Sequence, residues 1–371
     1  MKINERNITV IEKILISIIV ILTLFPIGYS FYNILILLPC SILLLFYSNY
    51  EPKKILLALF LIALLIIISI SNMDMEMKNI ILFVFIFQSV SRLTNIQTFF
   101  SKILIFALYF LFFTAIIQRL FPNPIWFGLA ENPNHLHMLK VGYSSYSTVG
   151  NSTHAAYITL LIGTYLLYIA KKGMFYFFLT IISLVLFANK MSMLIFTSLY
   201  FLNYLVISKP SKKLIAIVLF SIISFALWFF VFEKYYLSWT STDVSNIHTI
   251  NHRTNLFQSL LTEASNISFW LKGNPKYIEN FALPFDSGLM LLSFRYGIIF
   301  TVLLYLFFFL RIGLVNIYMF LTIITPSLTQ VSFYNSQFLI FIAIIISSTY
   351  KDYPNTSSKP SNIKLLANKN D

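Results

Sequence analysis

Residues 103–121 read ILIFALYFLFFTAIIQRLF, nineteen positions in which Thr114, Gln118 and Arg119 interrupt an otherwise apolar and aromatic run. At 1.5 Å per residue, a helix of that length covers about 28 Å, close to the roughly 30 Å hydrocarbon core of a bilayer. The run is continuous rather than alternating with period two, so it does not read as a membrane strand. Working outward, comparable runs recur at 10–27, 31–48, 54–71, 79–91, 153–170, 174–188, 191–207, 214–232, 287–310, 313–326 and 331–349. The 371 residues are 58% hydrophobic and 11% charged. Soluble proteins carry about 25% charged residues, so an ordinary water-soluble enzyme and a disordered chain are both excluded. The fold class expected is an all-α polytopic membrane protein with about twelve transmembrane helices.

The formal net charge of +13 invites a nucleic-acid reading, but the basic residues stand in short groups beside the apolar runs. That arrangement orients helices in a membrane, and no nucleic-acid partner is expected. With the N-terminus placed in the cytoplasm, seventeen of the 26 Lys and Arg fall on inner segments and eight on outer ones. Both termini are then cytoplasmic. The stretch 174–208 has basic residues at both ends and is too long for one crossing, so it is read as two helices parted at Ala188-Asn189-Lys190. Cys40, the single cysteine, lies in an apolar run and allows no intrachain disulfide. The first run follows Lys2, Arg6 and Lys13 and leads straight into the second, so it reads as a retained helix rather than a cleaved signal. One membrane domain is expected over 1–350, with larger periplasmic loops at 122–152 and 233–286, and a polar cytoplasmic tail at 351–371.

All five histidines, His135, His137, His154, His248 and His252, fall in or at the edge of those two loops. Titratable groups gathered on one face of an apolar protein mark where a site would lie, although loops collect polar residues in any membrane protein. HExxH, GxSxG, GxGxxG and GxxxxGK[ST] are all absent. Neither a metal nor a nucleotide cofactor is expected. Arg253 opens an amphipathic stretch, HRTNLFQSLLTEASNISFWLKGNP (252–275), which reads as a surface segment with one face against lipid or the helix bundle. A guanidinium there suits a diphosphate, held through bidentate charge-assisted hydrogen bonds; an interfacial arginine meeting lipid headgroups occupies the same position. Asp286 and Arg295 mark the entry to the tenth run, in PFDSGLMLLSFRYGII (284–299). An arginine at the centre of a span costs about 2.5–3.5 kcal/mol or more, so Arg295 is expected to face a polar cavity unless it snorkels outward.

The order of these elements resembles the O-antigen polymerase and O-antigen ligase superfamily of bacterial envelope glycosyltransferases. GNSTHAA (150–156) is similar to the small-residue signature that opens a helix after the first external loop in that family. The spacing from Arg253 to Gly273 resembles its arginine, amphipathic stretch and glycine pair, with Asn274-Pro275 in place of the second glycine. Asp286-Ser287 followed by Gly297 resembles its D/H-N/S-x-x-L-x-x-L-x-x-x-G, and the aspartate, where ligases typically have histidine, turns the reading toward a polymerase. Where the family often has an S-R pair, this chain has Asn189-Lys190-Met191.

The resemblance implies a GT-C-like architecture and a partner set of undecaprenyl-diphosphate-linked glycans, membrane lipids, a chain-length regulator and a flippase. It implies a polymerase of O-antigen or capsular repeat units in the bacterial inner membrane, joining them at the periplasmic face without metal or nucleotide. Arg253 would hold the diphosphate, with Arg295, Arg119 and Lys140 assisting. Asp286, His252 or His154 would take the hydroxyl proton. An O-antigen ligase is the neighbouring alternative, and a lipid-linked oligosaccharide flippase the alternative of another class. The topology is directly testable: alkaline phosphatase fused after Lys272 should be active, and green fluorescent protein fused after Lys351 should fluoresce. The reverse pattern would invert the assignment.

Overall fold

The computed structural model describes residues 6–7, 9–24, 93–94, 96–127, 129–130, 133–140, 142, 144–207, 255–279, 287–312, 316–329 and 336–349, with single positions 43, 83, 86, 87, 90 and 218. Regular structure among them is helical, except for one two-residue parallel pairing of Arg6–Asn7 (β1) with Leu93–Thr94 (β2). The second, third and ninth apolar runs lie almost wholly outside the described residues, as do 351–371.

The helices are α1 (Val10–Thr23), α2 (Ile96–Leu120), α3 (Pro133–Lys140), α4 (Ser152–Thr164), α5 (Met174–Leu186) and α6 (Lys190–Ile207). They continue with α7 (255–263), α8 (Ile267–Lys272), α9 (Pro275–Glu279), α10 (Gly288–Tyr296), α11 (Ile298–Ile312), α12 (Ile317–Thr329) and α13 (Ser336–Thr349). Local sequence explains their starts. Thr9 and Glu12 form a reciprocal capping box that opens α1, and Glu12 is fully buried in it. Asn151 caps α4 by accepting from the backbone of Thr153 and His154. The end of α4 widens into a π turn, Tyr165–Ile169, and Lys171 closes it with a left-handed φ of 50°.

The helix directions follow from a few contacts. β1 and β2 are parallel, so α1 and α2 start at one end of the molecule. Both finish at the other end on the same segment, where Thr148 donates to the Leu24 carbonyl and Gln118 contacts the backbone of Tyr146 and Ser147. α5 also ends there, since the Leu186 carbonyl accepts from Ser145 N at 2.9 Å and from Arg119 at 3.0 Å. The two-helix reading of 174–208 matches the structure: α5 turns at Phe187–Asn189, with Ala188 at φ 52°, and α6 returns antiparallel with Phe177 on Tyr200.

α4 is the centre of the bundle, in contact with α2, α5, α6, α12 and α13. Its residues from Ala155 to Thr164 are all buried. α12 runs against it antiparallel, with Thr322 on Thr164 and Tyr318 stacked on Tyr168. The close fit to α5 depends on Gly163, where a Cβ would overlap the Thr180 side chain. Outward faces are apolar: Ile14 and Ile18 on α1, Phe113 and Ile117 on α2, Val302 and Leu310 on α11. Among the described residues, Ile96–Leu120 and Ser152–Ile169 are the helices long and apolar enough to cross a membrane.

One expectation is corrected. The run 287–310 is not a single helix but two, α10 and α11, folded back on each other about Gly297 at φ 92°, ψ 158°. Ser293 Oγ lies 3.4 Å from Thr301 Oγ1, where eight residues of unbroken helix would separate them by about 12 Å. Arg295 is therefore not at the centre of a span. It occupies the last turn of α10, where a cation is favoured by the helix dipole.

Gly163→Ala should cost about 1–3 kcal/mol through overpacking, read as a lowered melting temperature in detergent. Adding Thr180→Ala should recover most of the loss. Equal melting temperatures for wild type and Gly163→Ala would mean that α4 and α5 are not in this contact.

Candidate functional site

Two polar assemblies occupy the end of the bundle to which the outer loops were assigned. The first is built on α2. Residues 144–149 (SSYSTV) are buried without extended helical structure, so their backbone groups need partners other than water. Gln118 supplies them. Its Oε1 accepts from Tyr146 N at 2.8 Å and Ser147 N at 2.9 Å, while its Nε2 donates to the Ser147 carbonyl at 3.3 Å. Thr114 and Ser147 exchange a hydroxyl contact at 2.5 Å, and Ser145 Oγ donates to the Ala115 carbonyl. Tyr146 is fully buried and donates its hydroxyl to the Trp126 carbonyl at 2.8 Å. Burial pushes its phenol up to about 12, so it remains a neutral donor. This segment delivers the chain through Gly150, at φ 81°, to the Asn151 cap and the first turn of α4, where His154 is half-buried.

The second assembly is built on α10. Ser287 is its N-cap: its hydroxyl accepts from Met290 N at 3.4 Å and donates to the Ser327 carbonyl of α12 at 3.3 Å. That tie places the start of α10 at the same end of the bundle as the start of α4, since α12 is antiparallel to α4. The amphipathic stretch read as one segment is two helices, α7 and α8, parted at Ala264-Ser265-Asn266, with α9 after Gly273-Asn274. It packs on α10 through Leu256 and Phe269 against Leu291 and Phe294. The Phe294 ring lies between Phe269, edge-on at 5.2 Å, and Tyr277, stacked at 4.8 Å.

The two glycines from the sequence signatures meet here. Gly273 takes φ 70°, and a Cβ on it would overlap the Phe294 carbonyl. A Cβ on Gly297 would sit 2.6 Å from the Trp270 carbonyl and 2.9 Å from the Leu271 carbonyl carbon. Asn274 N donates to the Phe294 carbonyl at 2.5 Å, satisfying one of the carbonyls that the end of α10 leaves open. Two turns thus interlock backbone to backbone, which side chains at either glycine would prevent. Beneath them lies an apolar cavity of about 450 Å³ between α10, α11 and α12, walled by Leu260, Leu289, Ile298, Val302, Phe309 and Ile324. Ser293, Thr301 and Tyr305 also line it.

The candidate residues are distributed as follows. Arg253, His252 and Asp286 lie outside the described residues, Arg253 two positions before α7 and Asp286 directly before the Ser287 cap. Arg295 is half-buried beside the Gly273–Gly297 contact. Arg119 has one guanidinium N–H on the end of α5 at Leu186, which gives it a structural task that the sequence reading did not assign. Lys140 is exposed at the end of α3. Among the described residues, no three His, Cys, Asp or Glu side chains group as a metal site would require. The sequence reading missed Gln118; the signal was present as an amide in an apolar run followed, 26 residues later, by a string of small hydroxyl residues.

No family model, no curated protein and no solved structure matches this chain.

Ala substitutions test the interlock. Gly273→Ala and Gly297→Ala each combine a left-handed φ, costing about 1–3 kcal/mol, with a backbone clash. Gly142, at φ 71° with open space around it, is the control. Melting should fall further for the first two than for Gly142→Ala; three equal losses would rule out the close approach.

Proposed function

We propose that the chain is an inner-membrane glycosyltransferase that polymerises lipid-linked oligosaccharide repeat units at the periplasmic face. The observation that carries this reading is the interlock of Gly273 with Gly297. It joins the amphipathic stretch that follows Arg253 in sequence to α10, which Ser287 caps and whose last turn holds Arg295, above an apolar cavity. Arg295 beside the Gly273–Gly297 contact and an apolar cavity close by suit a substrate with a diphosphate head and a prenyl tail.

In this reading the non-reducing sugar hydroxyl of one unit attacks the anomeric carbon of the growing chain. The new C–O bond forms as the bond to the diphosphate oxygen breaks, and the leaving diphosphate departs with the electron pair. Arg253 and Arg295 stabilise the charge that develops on it. Asp286, with His252 and His154 as the other carboxylate-or-imidazole choices, accepts the hydroxyl proton and returns it to solvent. The leaving group is already activated, so no nucleotide enters. Lys140, exposed on the first loop, and Arg119 would act at longer range, through the field at the site. Partners in this reading are undecaprenyl-diphosphate-linked glycans, membrane lipids, a flippase and a chain-length regulator.

The helix break at Gly297 favours a second reading, because discontinuous helices are a feature of transporters. A single experiment separates them. The gene is deleted in its native host, complemented with wild type or Arg253→Ala, and the surface polysaccharide is run on a gel. A polymerase gives single repeat units without the gene and a ladder with wild type. Arg253→Ala should lower ladder formation about a hundredfold or more. Accumulated lipid-linked polymer with no transfer to lipid A-core would mean a ligase, and single units held on the cytoplasmic leaflet a flippase.

A further inference from the structure

The segment 255–272 has two apolar sides, and only one of them is used. On α7, Leu256 and Leu260 face α10 and the cavity. At about 100° per residue, Phe257 and Leu261 lie on one flank of that stripe and Ser259 and Glu263 on the other. The second flank is tied down: Tyr277 Oη donates to Ser259 Oγ at 2.6 Å, and Asn274 Nδ2 to Glu263 Oε1 at 3.3 Å. The first flank is exposed, and the polar residues Asn255, Gln258 and Thr262 turn away from the bundle. On α8 the pattern repeats. Phe269 is buried, while Ile267 is 80% and Leu271 67% exposed and Trp270 is exposed beside them. The Trp270 indole N–H is already satisfied by the Ala264 carbonyl at 2.7 Å, so its ring needs no water.

We infer that Phe257, Leu261, Ile267, Trp270 and Leu271 are seated in the outer leaflet of the bilayer, making 255–272 an interfacial wedge rather than a water-borne loop. Two observations choose lipid over a protein partner. Leu271 lies against Gly297, and the next residues of α11 show exposed Ile299, Val302 and Leu303, so the apolar face of the segment continues into the lipid-facing flank of a bundle helix. Lys272 and Lys276 stand exposed immediately after it, at the height where phosphate headgroups would be. The polar arc of α7 then faces water, the division expected of an interfacial helix. As a consequence, the apolar cavity roofed by Leu260 opens sideways into the acyl layer rather than upward into water. The inference rests on the membrane reading of the chain and not on any catalytic role.

The test uses the full chain with Trp126, Trp228 and Trp239 replaced by phenylalanine, leaving Trp270 as the reporter. It is reconstituted in phosphatidylethanolamine and phosphatidylglycerol vesicles carrying brominated acyl chains. A second chain lacks Trp270 as well and carries Leu303→Trp on the exposed face of α11. Trp270 should lose emission to bromines near the glycerol end of the chain, less to bromines near its methyl end, and little to aqueous acrylamide. Acrylamide quenching of Trp270 with Leu303→Trp quenched by bromine would overturn the wedge and leave the membrane reading standing. Trp270 shielded from both quenchers would also overturn it, in favour of a protein covering this face. Bromine quenching of neither reporter would overturn both the wedge and the membrane reading on which it rests.

Discussion

Each backbone N–H and C=O in an apolar protein must find its partner within the chain, and this constraint organises the molecule. Helices meet it along their length. The hydroxyl residues inside them follow suit, folding onto carbonyls four residues back at Ser17, Thr180, Ser183, Ser293, Thr322 and Ser347. The difficult places are where the chain leaves helical geometry but stays buried. There the structure uses one amide, that of Gln118, to satisfy three backbone groups of the segment 144–149, and one carbonyl, that of Leu186, to receive two donors. Replacing Gln118 by an isosteric hydrocarbon would leave two buried N–H groups without partners, each costing about 1–3 kcal/mol.

The same constraint explains why the outer stretches are not loose connections. The carbonyls at the end of α10 have no next turn to receive them, and the Asn274 N–H reaches one from another stretch of chain. Such an approach requires two positions without side chains. Gly273 and Gly297 are those positions, both at positive φ. The result is a layer of short helices held at fixed height over the bundle, with the aromatic stack of Phe269, Phe294 and Tyr277 as its core.

Much of the helical architecture was legible because apolar runs of helical length say little else. The split of 174–208 into two helices was legible from the basic residues at its ends, since charge at both ends of a double-length run fixes an even number of crossings. The break at Gly297 was not legible in hydropathy: apart from Ser293 and Arg295 the run 287–310 stays largely apolar across that glycine, and isolated glycines occur within helices. Only the partner turn at Gly273 makes the break necessary. The signature residues were legible as a pattern, and the structure brings two of them together, but Arg253, His252 and Asp286 lie outside the described residues. Arg119 has a bond that charge alone does not announce: one guanidinium N–H donates to the Leu186 carbonyl at the end of α5.

The short ladder between Arg6–Asn7 and Leu93–Thr94 bears on how the molecule is put together. α1 comes first among the described helices, and among them its main neighbours are α2 and α13. Its strand partner emerges more than eighty residues later, and Ser336–Thr349 later still. Until then, the buried side chains Ile16, Ile19 and Val20 lack the contacts that α2 and α13 supply. Among the described helices, the order of synthesis and the order of contact therefore differ: α1 is made before the faces of α2 and α13 that it packs against.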